Sequence, residues 1–109
     1  MLPELSVLIP TYNRREILRR CLRSLSRQTL APEKYEVIVI GDGSTDRKEE
    51  MLAAFQMDSS LRWQHISHTG PSGARNRGLE MAKGEFVVFV DSDLIVVPEF
   101  LASHLEAHR

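Results

Sequence analysis

Short apolar runs alternate with amphipathic segments along this chain. Four of the runs are bounded by proline, glycine or polar residues, a pattern that predicts buried β-strands. They are Leu5–Ile9, Tyr35–Ile40, Leu61–Ile66 and Glu85–Val90. Leu61–Ile66 is the most polar and is expected at an edge of the sheet, whereas Glu85–Val90 is expected to be buried on both faces.

Apolar residues three and four positions apart predict helices between these strands. Arg14–Gln28 carries arginines between its apolar positions, as an amphipathic helix does, and Asn13 or Thr11 is placed to cap it. Its apolar positions are Ile17, Leu18, Cys21, Leu22 and Leu25. A second helix is expected to start at Ser44 or Thr45, to bury Met51, Leu52 and Phe55, and to end at Asp58–Ser60.

Two further helices are predicted in the second half of the chain. A loop over Gly70–Gly73 precedes a helix at Ala74–Lys83, with Leu79 and Ala82 facing inward. The last helix spans Pro98–His108, with Pro98 in its first turn.

The alternation of strands and helices predicts an α/β fold with a mostly parallel sheet and helices on both faces. Ligands bind beyond the carboxyl ends of the strands in such sheets. That rule brings three separate stretches to one edge: Pro10–Asn13, Gly41–Ser44 and Asp91–Asp93.

Composition narrows the class of protein. A chain of 109 residues with 42% hydrophobic residues is one globular domain, and a net charge of -1 gives no bulk attraction to nucleic acid or to a membrane. One cysteine, Cys21, excludes an internal disulfide and suits a reducing compartment. The chain starts without a signal-peptide pattern and has no long apolar run, so a cytoplasmic domain is expected.

Asp91 and Asp93 follow an apolar strand and are the strongest candidates for chemistry. Residues two apart in an extended segment point the same way, so both carboxylates are expected to face one cation. Mg²⁺ takes one or two protein carboxylates and completes its shell with phosphate and water. A strand end followed by an ordinary turn is the less favoured alternative.

For the other charged residues, a purely structural role is a close alternative to a ligand-binding role. Asp42, between two glycines at a strand end, is equally consistent with a turn and with a hydrogen-bond acceptor for a base or ribose. Asp46 is better explained as a helix start. Gly70–Gly78 is predicted to form an anion-friendly loop in which Arg75 or Arg77, but not both equally, is placed to meet a diphosphate; the alternative is a solvated loop in which Gly78 allows close helix packing. Seven of the fourteen basic residues lie within residues 1–34, where a solvated helix face is favoured over an anionic partner surface.

Together these motifs resemble family 2 glycosyltransferases, inverting enzymes with the GT-A (Rossmann-like) fold, over essentially all 109 residues. Each motif is weak, but their order and spacing agree. The matching stretches are Ser6–Asn13, Cys21–Thr29, Glu36–Asp46, Gly73–Gly78, Ala82–Phe86 and Asp91–Asp93.

The resemblance implies a role for each site residue. Pro10 and Thr11 would contact the base of a nucleoside diphosphate sugar, with a UDP-sugar favoured. Asp42 would bind the base and Asp91 would lie nearer the ribose, and Tyr12, Arg75 and Ser92 are expected to bind the nucleotide as well. Asp93, with Asp91 beside it in the DXD motif, would hold Mg²⁺ or Mn²⁺.

The resemblance also implies what this chain lacks. Gly41 stands where the family often has a second acid. Family members continue for about as much chain again, carrying the acceptor pocket and the catalytic base, so residues 1–109 are expected to form the donor-binding half and to transfer sugar poorly alone.

The sequence leaves an alternative function open, counts against two other classes of protein, and suggests further partners. A non-catalytic nucleotide-binding remnant is the alternative function. A nucleotidyltransferase would need a Gly-rich basic loop after the first strand, and a receiver domain would need acids there; Pro10–Asn13 supplies neither. Lipid-linked acceptors at the cytoplasmic face of a membrane, and a homodimer through an uncovered sheet edge, are further expectations.

Overall fold

Four parallel strands form one sheet in a computed structural model that describes residues 2–43, 48–67 and 70–108. The strands are β1 (Leu5–Thr11), β2 (Tyr35–Asp42), β3 (Ser60–Ile66) and β4 (Phe86–Phe89), arranged in the order β3-β2-β1-β4. Four helices connect or follow them: α1 (Arg15–Leu25), α2 (Lys48–Ala54), α3 (Gly70–Met81) and α4 (Phe100–Ala107). A short 3₁₀ turn, Pro32–Lys34, precedes β2.

The core is divided between the two faces of the sheet. On one face, alternate residues of β1 and β2, such as Val7 and Val37, pack with apolar residues of α1, α2 and α4. On the other face, Leu8, Ile38 and Ile40 pack against α3 through Ala74. The predicted α/β fold with a parallel sheet and helices on both faces is therefore confirmed.

The strands largely follow the prediction, with one correction of position. β3 lies at one edge of the sheet, as its polarity indicates. β4 lies at the other edge and is shorter than predicted, and Phe89 is 47% exposed. The expectation that this strand is buried on both faces was wrong, because α3 packs over β1 and β2 and leaves Phe89, on the same face of β4, partly uncovered.

Helix α1 begins at Arg15, and its N-cap is Arg14 rather than Asn13 or Thr11. Asn13 has a φ of 49°, in the left-handed region, so the chain turns there before the helix starts. Leu18, Cys21, Leu22 and Leu25 are buried as predicted. Ile17 is exposed, because it lies about a quarter-turn away from the centre of that buried face.

Helix α3 begins four residues before the predicted start, so Gly70–Gly73 is its first turn rather than a loop. Pro71 is tolerated there because first-turn amides have no acceptor within the helix. Ala74 and Gly78 form the buried face, and the predicted inward residue Leu79 is exposed. A Cβ added to Gly78 would lie 3.1 Å from Leu8 Cδ1, so the small residues let α3 approach the sheet closely.

The remaining helix ends also differ from prediction. Pro98 lies in a turn that precedes α4, which starts at Phe100. The predicted caps of α2, Ser44 and Thr45, lie outside the described residues, as does Asp46. Met51 and Leu52 are buried in α2, and Phe55 packs against the same core. None of the described helices combines the length and apolar character that crossing a bilayer requires.

A buried carboxylate at the amino ends of the strands joins three parts of the chain. Glu36 accepts hydrogen bonds from Ser6 Oγ (2.6 Å) in β1, from Arg62 Nη2 (2.6 Å) in β3 and from the Lys83 amide (2.7 Å) after α3. Burial alone would raise the pKa of Glu36, but these hydrogen bonds and the Arg62 charge hold the pKa below its usual value. Glu36 is thus ionised and satisfied inside the sheet.

Replacing Glu36 with glutamine is expected to lower the free energy of unfolding at pH 7 by about 2 kcal/mol, since charged hydrogen bonds are lost in a buried place. Because the folded pKa lies below the unfolded one, the contribution is complete above about pH 4.3 and fades as the pH falls through the folded pKa. Urea unfolding followed by Trp63 fluorescence at pH 7 and pH 3 measures this.

Glu33→Gln, at an exposed position in the 3₁₀ turn, is the matched control and should leave stability unchanged. Equal stability of Glu36→Gln and the wild type at pH 7 would contradict the role given to this network.

Candidate functional site

A cavity of about 280 Å³ lies at the carboxyl edge of the sheet, between the strand ends and α3. All seven residues predicted from the sequence to bind a nucleotide line it. They are Pro10, Thr11, Tyr12, Asp42, Arg75, Asp91 and Ser92. Arg14, Pro71, Ala74, Phe89 and Val90 complete the lining. The three stretches that the strand-end rule brings together therefore meet around one space.

Strand register places the first two stretches side by side. Thr11 of β1 pairs with Gly41 of β2, so Asp42 follows next to the exit of β1. Asp42 and Thr11 are buried, whereas Tyr12 is 51% exposed at the mouth. The cavity thus has a polar, buried floor and an aromatic ring on its rim.

The third stretch is a turn, not an extended segment. The Leu94 amide donates to the Asp91 carbonyl oxygen (3.1 Å), and Ser92 and Asp93 form the bend. The premise that Asp91 and Asp93 point the same way along a strand was therefore wrong. Asp91 lines the cavity, and Asp93 forms an ion pair with Arg14, with Nη1 and Oδ2 3.6 Å apart.

Helix α1, together with Gln28 just beyond its end, holds this turn and the segment after it in place. Cys21 Sγ lies 3.8 Å from the Asp91 carbonyl oxygen, Ser24 Oγ accepts from the Val96 amide (3.1 Å), and Gln28 Nε2 donates to the Val97 carbonyl (2.9 Å). Burial, and secondarily the nearby charge of Asp93, raises the pKa of Cys21 to about 12. The thiol is a packing group, as the sequence indicates.

The two arginines of the Gly70–Gly78 segment have different surroundings. Arg75 lines the cavity, and its guanidinium carbon lies 5.8 Å from the centre of the Phe89 ring, within cation–π range. Arg77 instead bonds to Gln64 (2.8 Å) and Glu80 (2.8 Å) on the outer side of α3. Of the two candidates, Arg75 is the one at the cavity.

Arg14 is a site residue that the sequence analysis missed. It was grouped with the solvated arginines of α1, yet it lines the cavity and pairs with Asp93. Its position directly after Pro10–Asn13 is the signal that could have separated it from the arginines farther along the helix.

A larger groove, of about 490 Å³, lies between α1 and α2 and is lined by residues such as Arg15, Arg19 and Glu50. It involves the outer faces of two helices and no strand end. We place the candidate site at the strand ends because ligand sites in parallel α/β sheets lie there.

Comparison with known proteins identifies the family. Residues 6–109 match the family model described as Glycosyl transferase family 2. This chain belongs to glycosyltransferase family 2. Validoxylamine A glucosyltransferase from Streptomyces hygroscopicus subsp. limoneus is 38% identical over 108 residues, which cover 97% of this chain and 24% of that protein.

Solved glycosyltransferase structures share the fold. S. aureus TarS 1-349 in complex with UDP-GlcNAc has a TM-score of 0.87 and 33% identity, covering 94% of this chain and 30% of that one. Mannosyltransferase PcManGT from Pyrobaculum calidifontis, in complex with GDP-Man and Mn2+, has a TM-score of 0.72 and 30% identity, covering 85% and 28%. The chain thus spans about a quarter of the validoxylamine glucosyltransferase and slightly more of each of these two solved chains.

The carboxylates at the cavity fit a metal ion that is coordinated jointly by the protein and a bound phosphate, rather than one held by the protein alone. Within the part of the chain that the structure describes, no three acidic, histidine or cysteine side chains gather where they could hold one ion. Asp91 and Asp93 are both exposed and close in sequence. One or two carboxylates are what Mg²⁺ uses when phosphate oxygens and water supply its other ligands.

Gly41, which stands where the family often has a second acidic residue, is covered by the side chain of Lys48. The Lys48 side chain is buried over Gly41, and a Cβ added to Gly41 would overlap Lys48 Cε and Nζ. Glu49 Oε1 lies 3.4 Å from Lys48 Nζ and 3.6 Å from His65 Nδ1. A hydrogen bond from its own amide, together with the charge of Lys48, holds the pKa of Glu49 below its usual value despite partial burial.

Gly41→Ala is expected to destabilise the protein by about 1 kcal/mol, because the new methyl group displaces the ammonium end of the buried Lys48 side chain. In a Lys48→Ala background the same change should cost almost nothing, giving a coupling energy of about 1 kcal/mol. Urea unfolding of the two single variants and the double variant measures this. Additive effects would contradict direct contact between the two residues.

Proposed function

We propose that this chain binds the nucleoside diphosphate of a sugar donor in the strand-end cavity and serves a glycosyltransferase that transfers the sugar to an acceptor hydroxyl with inversion. The observation that carries the proposal is the convergence of Pro10–Tyr12, Asp42, Arg75 and Asp91–Ser92 on one cavity. The complexes of TarS with UDP-GlcNAc and of PcManGT with GDP-Man support this class of ligand.

Each part of the ligand has a matching part of the cavity. Tyr12 and Pro10 offer apolar surface to a base, and buried Asp42 accepts a hydrogen bond from a ring N–H. Asp91 and Ser92 lie on the ribose side, and Arg75 faces the diphosphate. Uracil, thymine and guanine all present a ring N–H to such an acceptor, so the preference among them rests on TarS, which has the higher TM-score and is seen with a UDP-sugar. UDP is therefore the favoured nucleotide.

Asp93, with Asp91 nearby, is assigned to hold Mg²⁺ or Mn²⁺. When bound, a divalent cation supplies positive charge that offsets the diphosphate as it leaves. Arg75 adds a fixed positive charge, and the buried floor orients the nucleoside. None of these residues is assigned to deprotonate the acceptor. The 109-residue chain alone is therefore expected to bind nucleotide and to transfer sugar poorly.

Calorimetric titration with UDP, GDP and dTDP, with and without Mn²⁺, tests the donor site. UDP is expected to bind most tightly, and more tightly when Mn²⁺ is present. Asp93→Ala should remove the effect of the metal, because Asp93 is its assigned ligand. Arg27→Ala, an exposed position beyond the end of α1, should behave as the wild type. UDP binding that is indifferent to Mn²⁺ would rule out the assigned metal role.

Asp42→Ala tests base recognition separately from the metal. Loss of one buried hydrogen bond, donated by the base to a charged acceptor, is expected to weaken UDP binding about tenfold, with or without Mn²⁺. The gain in affinity on adding Mn²⁺ should be unchanged, since Asp93 is intact. Unaltered UDP affinity in this variant would remove Asp42 from the site.

A further inference from the structure

We propose that Arg14 exchanges partners when the donor and metal bind: it is the counter-ion of Asp93 in the free protein and a diphosphate ligand in the loaded one. The inference rests on the proposed donor site and adds to it a residue that no motif assigned. It starts from two observations on one side chain, the ion pair with Asp93 and the position in the cavity lining.

The ion pair is weak enough to be exchanged. Arg14 Nη1 and Asp93 Oδ2 are 3.6 Å apart, beyond normal hydrogen-bond length, and the two side chains are 50% and 54% exposed. Exposed pairs of this kind contribute little to stability. Asp93 thus has a neutralising partner that a more strongly attracted cation can replace.

The backbone of Arg14 is fixed while its side chain stays outside the helix packing. Arg14 is the N-cap of α1, with φ -132° and ψ 46°, and its carbonyl accepts the Leu18 amide at 2.7 Å. The left-handed Asn13 before it sets the direction of the chain. A long side chain attached to a fixed backbone position can reach different partners without any change in the fold.

Charge gives the exchange its direction. A divalent cation on Asp93 neutralises the carboxylate and repels the guanidinium beside it. The nearest new partner for Arg14 is then an anion in the cavity that it already lines, and a guanidinium forms paired hydrogen bonds with phosphate oxygens. The metal and the nucleotide therefore both favour movement of the Arg14 guanidinium from Asp93 to the diphosphate.

Arg14→Gln separates this proposal from a simple surface role, because it predicts two shifts of opposite sign. Without nucleotide, Mn²⁺ should bind about two- to threefold more tightly, since the competing cation is gone. With Mn²⁺ present, UDP should bind about tenfold more weakly, since a charged phosphate contact is lost. Electron paramagnetic resonance of free Mn²⁺ gives the first affinity and calorimetry the second.

Arg20→Gln is the matched control. Arg20 is an exposed arginine on the same helix, and it does not line the cavity. It reports any general effect of removing one positive charge, and both affinities should stay at the wild-type values. Asp93→Asn should abolish the Mn²⁺ binding that responds to Arg14, which ties the signal to this carboxylate. Arg14→Lys, which keeps the charge, should shift both affinities less than Arg14→Gln.

Weaker Mn²⁺ binding in Arg14→Gln, or shifts equal to those of Arg20→Gln, would overturn the exchange. Circular dichroism of each variant confirms that the comparison is between folded proteins. A wild-type chain that binds neither UDP nor Mn²⁺ would defeat the proposed function itself. A wild-type chain that binds both, without opposed shifts in Arg14→Gln, would defeat only the inference about Arg14.

Discussion

The parallel pairing of β1 with both β2 and β4 determines where every candidate side chain lies. Leu5 pairs with Tyr35 on one side and with Phe86 on the other, so the three strands run in the same direction from a common start. Their carboxyl ends must then open at one edge. Thr11, Asp42 and Asp91 are close because of this pairing. The intervening helices only return the chain to the amino ends of the strands.

Charged side chains have contrasting surroundings at the amino ends and at the carboxyl ends of the strands. At the amino edge, Glu36 is buried, and each of its carboxylate oxygens accepts a short hydrogen bond. A buried charge is tolerated only when it is satisfied in this way. At the carboxyl edge, Arg14 and Asp93 are half-exposed and loosely paired. The first arrangement stabilises the fold, and the second leaves charged groups available to a ligand.

The sequence was a good guide to the order of elements and to the residues at the cavity, and for a physical reason. Apolar runs locate strands, and the strand-end rule then fixes which residues share an edge, whatever the details of the loops. The start of α3 was missed because proline and glycine in a first helical turn resemble a loop. The edge position of β4 was missed because its neighbours are set by pairing between distant segments.

Details that depend on side-chain reach were also beyond the sequence. The turn at Asp91–Asp93 is fixed by Leu94 and by contacts to α1, which no local pattern encodes. Lys48 is six residues from Asp42 in the chain, yet it is buried over Gly41, because a glycine leaves room there. Arg14, the N-cap of α1, faces the cavity, whereas the arginines within the helix do not.

Helix α1 controls both partners of the Arg14–Asp93 pair. Its first residue follows Arg14, and its Cys21 and Ser24, together with Gln28 just beyond the helix, hold the chain from Asp91 to Val97. The separation of the two charges is therefore set by one rigid element that is buried against the sheet through Leu18 and Leu22. Because neither the helix nor the anchored turn needs to move, a change of partner at this edge involves side-chain rotation alone, which is fast and costs little compared with a loop closure.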